Sequence, residues 1–367
     1  MITVDLIAGA RPNFMKISAI VNAIKKSNNN EKTISYRLIH TGQHFDKNMS
    51  STFFENLLIP KPDYNFSVSG GTQGFQVSNI LLSYEELLLK TYKPNLCVVV
   101  GDVNSTVACA IAASKLGVKI AHVEAGIRSY DRSMPEEINR ILTDSITDYF
   151  FTTTKLAGEN LKNLGANPNN IFFVGNTMID TLLRFKKRYT LNKQILKKIT
   201  NNRYFVLTIH RPNNVDDIEK LKNKLNVINE VSNDLNIKII YPTHPRISNH
   251  ISDLKKSYKK ILFCAPLSYF DFIALIKNSS GIITDSGGVT EEATVLNIPC
   301  ITLRNSTERP ETVDIGTNIL VGDDLILLRK MINKMGVQKW KSSKIPEKWD
   351  GKAGYRIVEI INKIFSK

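Results

Sequence analysis

His122-Val123-Glu124-Ala125-Gly126-Ile127-Arg128, followed by Arg132-Ser133-Met134-Pro135-Glu136-Glu137-Ile138-Asn139-Arg140, decides how this chain is organised. Its first residues close an apolar run at 119–123 with the length and composition of a buried strand. Its last residues put Pro135, Glu136 and Glu137 where a helix begins, and a helix N-terminus favours acidic side chains. A strand leading through a short charged segment into a helix is the repeating unit of an α/β sheet. Glu136 and Arg140 stand four apart, so a charge pair on one helix face is available. That pair accounts for neither Glu124 nor Arg128, which sit at the strand exit, where open α/β sheets carry ligands.

The same alternation runs outward in both directions. Strand-like runs at 3–8, 35–40, 96–100, 119–123, 149–153 and 171–174 alternate with helical patterns at 15–26, 78–92, 106–115, 136–144 and 157–164. Short apolar strands separated by amphipathic helices predict a parallel sheet covered on both faces. A lysine-rich polar segment at 185–202 interrupts the pattern, which resumes with strands at 204–209, 238–241, 261–263, 281–284 and 299–303. We therefore expect a first domain at 1–185 and a second at 186–349, with a helix at 350–367 packing back on the first. Two lobes also suit a chain of 367 residues, which exceeds what one core usually serves.

Composition narrows the function. No apolar run approaches the length of a membrane span. The N-terminus enters its first strand with no basic segment and long apolar run before it, so a cytoplasmic protein is expected. The net charge of +15 is spread over an Asn-, Ile- and Lys-rich chain. Its clusters, Lys186-Lys187-Arg188 and Lys255-Lys256, are short and carry no nucleic-acid motif, so a generally positive surface suited to an anionic substrate is the better reading. Cys97, Cys109, Cys264 and Cys300 form no CxxC pair.

Several strand exits carry chemistry. Gly9 to Lys16 (GARPNFMK) leaves the first strand with a glycine, a helix-starting proline and two cations, Arg11 and Lys16, but lacks the dinucleotide fingerprint. After the strand at 96–100, Asp102 of GDVNST reads either as the cap of the next helix or as an acid or base facing a substrate. His210-Arg211 and His244-Pro245-Arg246 each set a histidine beside an arginine at a strand terminus, without metal-ligand spacing. Asp285-Ser286-Gly287-Gly288-Val289-Thr290-Glu291-Glu292 is the most phosphate-like turn. Its small residues expose backbone N–H groups at a helix start, and Glu292 stands one turn in, where a carboxylate can accept ribose hydroxyls.

In their order, GARPNFMK at 9–16, TGQH at 41–44, GDVNST at 101–106, HVEAGIRS at 122–129 and MPEEINR at 134–140 resemble the non-hydrolysing UDP-N-acetylglucosamine 2-epimerases. HR at 210–211, DSGGVTEEA at 285–293 and TERPE at 307–311 extend the resemblance through the second half. It implies a GT-B-like fold, with two Rossmann-like domains whose parallel sheets face a central cleft, and a homodimer. It implies interconversion of UDP-GlcNAc and UDP-ManNAc through 2-acetamidoglucal, with neither NAD nor metal as cofactor. By position, Asp102, Glu124 and Glu136 would carry the acid–base work, and His210 would assist the departing UDP. Arg11, Lys16, Arg140 and His244 would meet the substrate's anionic part, and Phe272 would stack near uracil. Ser286, Gly287 and Gly288 would hold phosphate, Glu292 the ribose, and Arg309 the sugar end. Gln43, His44, Glu137 and Arg211 fall where some bacterial members bind a second UDP-GlcNAc. This chain departs from that pattern in reading HRPNN at 210–214 where many relatives read HRREN, and in the loop around Gln76.

Two rival substrates or roles follow from the same residues. An epimerase for a 2,3-diacetamido uronate would need a cation for the extra carboxylate, such as Arg128 or Arg246. A UDP-sugar sensor without catalysis would keep the cations but need no converging acids.

Overall fold

The computed structural model describes residues 1–29, 33–42, 51–191, 203–243, 247 and 251–366, and for 51–53 the backbone only. The chain forms two compact units, Met1–Arg184 with Glu347–Lys367, and Phe185–Pro346.

The first unit contains β1 (Ile2–Ala8), α1 (Arg11–Ser27), β2 (Ile34–His40), α2 (Ser51–Leu57), β3 (Tyr64–Asn65), α3 (Gln73–Lys90) and β4 (Leu96–Val100). It continues with α4 (Asn104–Lys115), β5 (Lys119–Val123), α5 (Pro135–Ser145), β6 (Tyr149–Thr152), α6 (Lys155–Asn163), β7 (Ile171–Phe173) and α7 (Thr177–Arg184). Its strands form one parallel sheet in the order β3-β2-β1-β4-β5-β6-β7. The order reverses between β1 and β4, which opens a crevice at their C-terminal ends. Gly9 and Gly101 leave the sheet at that point.

Helix α1 starts four residues before the apolar periodicity predicts because Pro12 presets its first turn. Asn13 then folds back, accepting from the Ala10 N–H at 2.9 Å and donating to the Val100 carbonyl at 2.9 Å, which ties the exit of β1 to the end of β4. Helix α3 likewise begins at Gln73, not 78, because the Thr72 hydroxyl caps it from the Phe75 N–H. The core on one side of this sheet is built from Ile7, Ile39, Val99, Ile120, Tyr84 and small α4 residues such as Ala108 and Ala112.

The second unit contains β8 (Tyr204–Thr208), α8 (Pro212–Val215), α9 (Ile218–Asp234), β9 (Lys238–Pro242), α10 (Ile251–Ser257), β10 (Ile261–Cys264) and α11 (Tyr269–Lys277). After these come β11 (Gly281–Thr284), α12 (Gly287–Val295), β12 (Cys300–Thr302), α13 (Pro310–Asp314), β13 (Asn318–Leu320) and α14 (Leu325–Gly336). The parallel sheet has the order β10-β9-β8-β11-β12-β13, and its reversal lies between β8 and β11. His210 and Asp285 follow those two strands. The short edge strands β3 and β13 have too few residues to show a period, so sequence reasoning did not anticipate them.

The last helix, α15 (Ala353–Phe365), belongs to the first unit. Asp180 of α7 accepts from the Ala353 and Gly354 N–H groups at 3.1 and 2.7 Å, capping the helix from another element. Gly354 lets α15 lie against α1, since a Cβ there would come within 2.7 Å of the Ala19 carbonyl oxygen. Among the described residues no helix is long and apolar enough to cross a membrane.

Candidate active site

In the first unit the charged strand exits converge. Glu124 follows β5 with φ of 75°, a left-handed conformation that a residue with a side chain adopts at a cost. Its backbone N–H is held by the Phe151 carbonyl at 3.0 Å, and its carboxylate, 5% exposed, forms an ion pair with Lys16 from α1. Gly101 makes room for that pair. A Cβ at this position would stand 2.9 Å from Lys16 Nζ and 3.4 Å from Glu124 Oε2, and its φ of 69° is itself left-handed.

Asp102 does not cap the next helix, because Val103 is the N-cap of α4. Its carboxylate turns to α5, where Arg140 donates to Oδ2 through Nη2 at 2.5 Å and Nε at 3.1 Å. Asn139 of the same helix donates to the Asp102 carbonyl at 2.9 Å. Arg140 therefore pairs with Asp102, and through Nη1 with Glu137 at 2.8 Å, instead of forming the expected pair with Glu136. Glu136 stands exposed in the first turn of α5.

Glu137, expected at a second ligand site, is 1% exposed. It accepts from the N–H groups of Ser129 and Tyr130 at 2.9 and 3.1 Å and so folds the segment after Arg128 against α5. Burial pushes its carboxyl up, but those N–H donors and Arg140 outweigh it and hold the group below the ordinary range.

Sequence reasoning missed the support beneath these groups. His122 of β5 is fully buried, with Nε2 at 2.8 Å from the Gly101 carbonyl and Nδ1 at 2.7 Å from Asp144 of α5. Asp144 also pairs with Arg128 at 2.6 Å and accepts from the Gly126 N–H at 3.1 Å. Burial raises the Asp144 carboxyl, yet His122 and Arg128 reverse the balance and keep it below its usual range. The alternation of β5 hid His122 among core positions, and only the packing of α5 on the sheet shows its partner.

The second unit gathers its groups at its own switch point. The Asp285 carboxylate accepts from the backbone N–H groups of His210 and Arg211 at 3.0 and 2.9 Å and lies 2.9 Å from His210 Nδ1. Burial raises this carboxyl, but His210, the Arg211 N–H and Asn214 together hold it low. The His210 side chain is 36% exposed. Ser286 is the N-cap of α12, and its N–H points to Thr284 Oγ1 at 3.0 Å. A Cβ on Gly287 would meet Glu308 Oε1 at 2.7 Å, and Arg304 binds Glu308 at 2.6 Å, so charged groups line this helix start.

Glu292, one turn into α12, is buried, and burial pushes its carboxyl up to about 7 against the hydrogen bond from the Tyr269 hydroxyl at 2.8 Å. Arg309 is buried with its Nε on Glu291 at 2.7 Å. Phe272 lies half-buried on α11, and Arg11 is exposed at the start of α1. Arg211 stands 3.9 Å from Glu308. Gln43, His44, His244 and Arg246 lie outside the described residues. Among the described residues no group of three or more His, Cys, Asp or Glu is arranged to hold a metal ion.

Residues 26–362 match the family model described as UDP-N-acetylglucosamine 2-epimerase. The chain is 44% identical over 366 residues to the UDP-N-acetylglucosamine 2-epimerase of Methanocaldococcus jannaschii, covering 97% of this chain and 98% of that protein. It is 42% identical over 319 residues to the UDP-2,3-diacetamido-2,3-dideoxy-D-glucuronate 2-epimerase of Pseudomonas aeruginosa, covering 86% and 87%. The crystal structure of the M. jannaschii enzyme in complex with UDP-GlcNAc and UDP superposes with a TM-score of 0.88 at 44% identity, covering 99% of this chain and 100% of that one. Two Rossmann-like units of a GT-B-like fold are thus common to both.

Proposed function

The chain belongs to the UDP-N-acetylglucosamine 2-epimerase family, and from that premise we propose that it interconverts UDP-GlcNAc and UDP-ManNAc without hydrolysis. The observation that carries this reading is the paired arrangement of strand exits. Asp102 follows β4 at the switch point of the first sheet, Glu124 follows the neighbouring β5 and pairs there with Lys16 of α1, and Glu136 starts the helix after β5. His210 and the Asp285–Glu292 turn stand at the switch point of the second.

The chemistry needs both sets. The C2 proton lies beside an acetamido group with no adjacent carbonyl, so it is a weak acid, and its removal must be coupled to departure of UDP from C1. A carboxylate takes the proton while the C1–O bond breaks and the electron pair leaves on the diphosphate, giving 2-acetamidoglucal and UDP. UDP then adds back to C1 as a proton is delivered to the other face of C2. We assign this proton transfer to Asp102, Glu124 and Glu136, and the stabilisation of departing UDP to His210, Arg11 and Lys16. Ser286, Gly287 and Gly288 take phosphate through the N-terminal end of α12, and Glu292 takes the ribose hydroxyls. The ion pairs of Arg140 and Arg309 support a different emphasis from the one implied by resemblance. Arg140 sets Asp102, and Arg309 braces α12 through Glu291.

Incubation with UDP-GlcNAc in D₂O tests the proposal. Deuterium at C2 and appearance of UDP-ManNAc are expected, and recovery of unlabelled UDP-GlcNAc alone would refute it. The relative from P. aeruginosa supports one second reading, a 2,3-diacetamido uronate as substrate. Arg128 is committed to Asp144, which weakens it as the cation for the extra carboxylate. The same assay with the uronate decides between the two. We read the chain as cytoplasmic and as a homodimer, and the dimer is supported by the apolar Phe75, Leu82 and Leu89, which recur every seven residues on α3 and are exposed.

A further inference from the structure

Helix α9 carries a lysine where its pattern calls for an apolar residue. Leu221, Leu225 and Ile228 face the core of the second unit, and Lys224 lies on the same side with 1% of its side chain exposed. A lysine at that depth requires partners for its ammonium. Lys224 donates to Asn214 Oδ1 at 2.5 Å and to Asp323 Oδ1 at 2.8 Å.

The bond to Asn214 settles which way its amide points, because an ammonium can only donate and must face the oxygen. The amide nitrogen is thereby turned inward, donating to Asp285 Oδ2 at 3.0 Å and to the Leu303 carbonyl at 3.1 Å. Asp285 in turn lies 2.9 Å from His210 Nδ1. A carboxylate beside one imidazole nitrogen keeps the proton there and decides which nitrogen is presented elsewhere.

We propose that Lys224 is a positioning residue for His210, acting through Asn214 and Asp285 so that Nδ1 keeps its proton and Nε2 is the nitrogen offered to the departing diphosphate. This rests on the reading of His210 as the group that assists UDP. Lys224 itself is buried, with its ammonium bonded to Asn214 and Asp323. Its effect is to hold the amide that holds the carboxylate.

The test uses the full-length enzyme with Lys224→Met and Lys224→Gln, assayed for UDP-GlcNAc epimerisation and by ¹⁵N NMR of the His210 ring nitrogens. In Lys224→Met, kcat should fall roughly 10–100-fold while KM stays within about threefold, and the Nδ1-protonated form of His210 should decline. Lys224→Gln, whose amide can still donate to Asn214, should recover most of kcat. Wild-type kcat and unchanged His210 nitrogen shifts in Lys224→Met would overturn the proposal, whatever that variant loses in thermal stability. If Lys224→Met does not fold, Asn214→Ala poses the same question one link closer, with the same two outcomes. His210→Gln separates the layers of the argument. Wild-type turnover there would remove the role of His210 itself, whereas a crippled His210→Gln beside an unaffected Lys224→Met would sink the relay alone.

Discussion

Glu292 occupies a place where a charged carboxylate is costly, buried on α12 with the Tyr269 hydroxyl as its hydrogen-bond donor. Burial brings its carboxyl up to about 7, so at neutral pH the group is poised between its two forms. A ribose diol donates two hydrogen bonds and therefore binds the ionised form better. Below about 7 a proton must leave before UDP binds, so affinity should fall by up to about tenfold per pH unit, and above that value it should level off. Calorimetric titration of UDP into wild type and Glu292→Gln across this range checks it, since the difference between the two removes the titration of UDP itself. Parallel curves would show that Glu292 does not meet the nucleotide. The position of Glu292 was legible from DSGGVTEEA, because a helix start and the residue one turn in are local features. Its elevated pKa was not legible, since that depends on burial by other elements, which outweighs the hydrogen bond from Tyr269 of α11.

At the scale of elements, the site depends on how α5 packs beside β5. Glu137, Asn139, Arg140 and Asp144 are buried on α5, and bonds from them reach His122 of β5 and the segments that follow β4 and β5. The helix was readable from Pro135, Glu136 and its spacing. Which carboxylate Arg140 would choose was not, because Glu136 is adjacent along the helix and Asp102 is 38 residues away. Asp144 is the keystone of this packing. Asp144→Ala would leave Arg128 and His122 buried without their carboxylate and remove the Gly126 bond, and breaking such a buried pair costs roughly 3–5 kcal/mol. Urea denaturation should show a loss of that size. A change under about 1 kcal/mol would mean that the network contributes little to the stability of the first unit. The Asp180 cap on α15 follows the same logic, with a helix end satisfied by an element far away in sequence.

For the whole molecule, a net charge of +15 opposes self-association, so a dimer must be held by apolar contact that outweighs repulsion. The exposed Phe75, Leu82 and Leu89 offer such a stripe, and Leu82→Glu should convert a dimer to a monomer in sedimentation experiments at low salt. A wild-type chain that sediments as a monomer, or a Leu82→Glu variant that remains dimeric, would remove α3 from that role. Sequence alone determined the strand–helix alternation and the identity of the residues at the strand exits. Those features are written in short-range periodicity, in glycine and proline punctuation, and in motifs within a few residues of one another. Tertiary structure alone decided which charges meet. Lys16 finds Glu124, Arg140 finds Asp102, and Lys224 reaches both Asn214 and Asp323. Such partners are chosen when separate elements pack and water is excluded, because a buried charge must be matched by whatever donor or acceptor the neighbouring element presents.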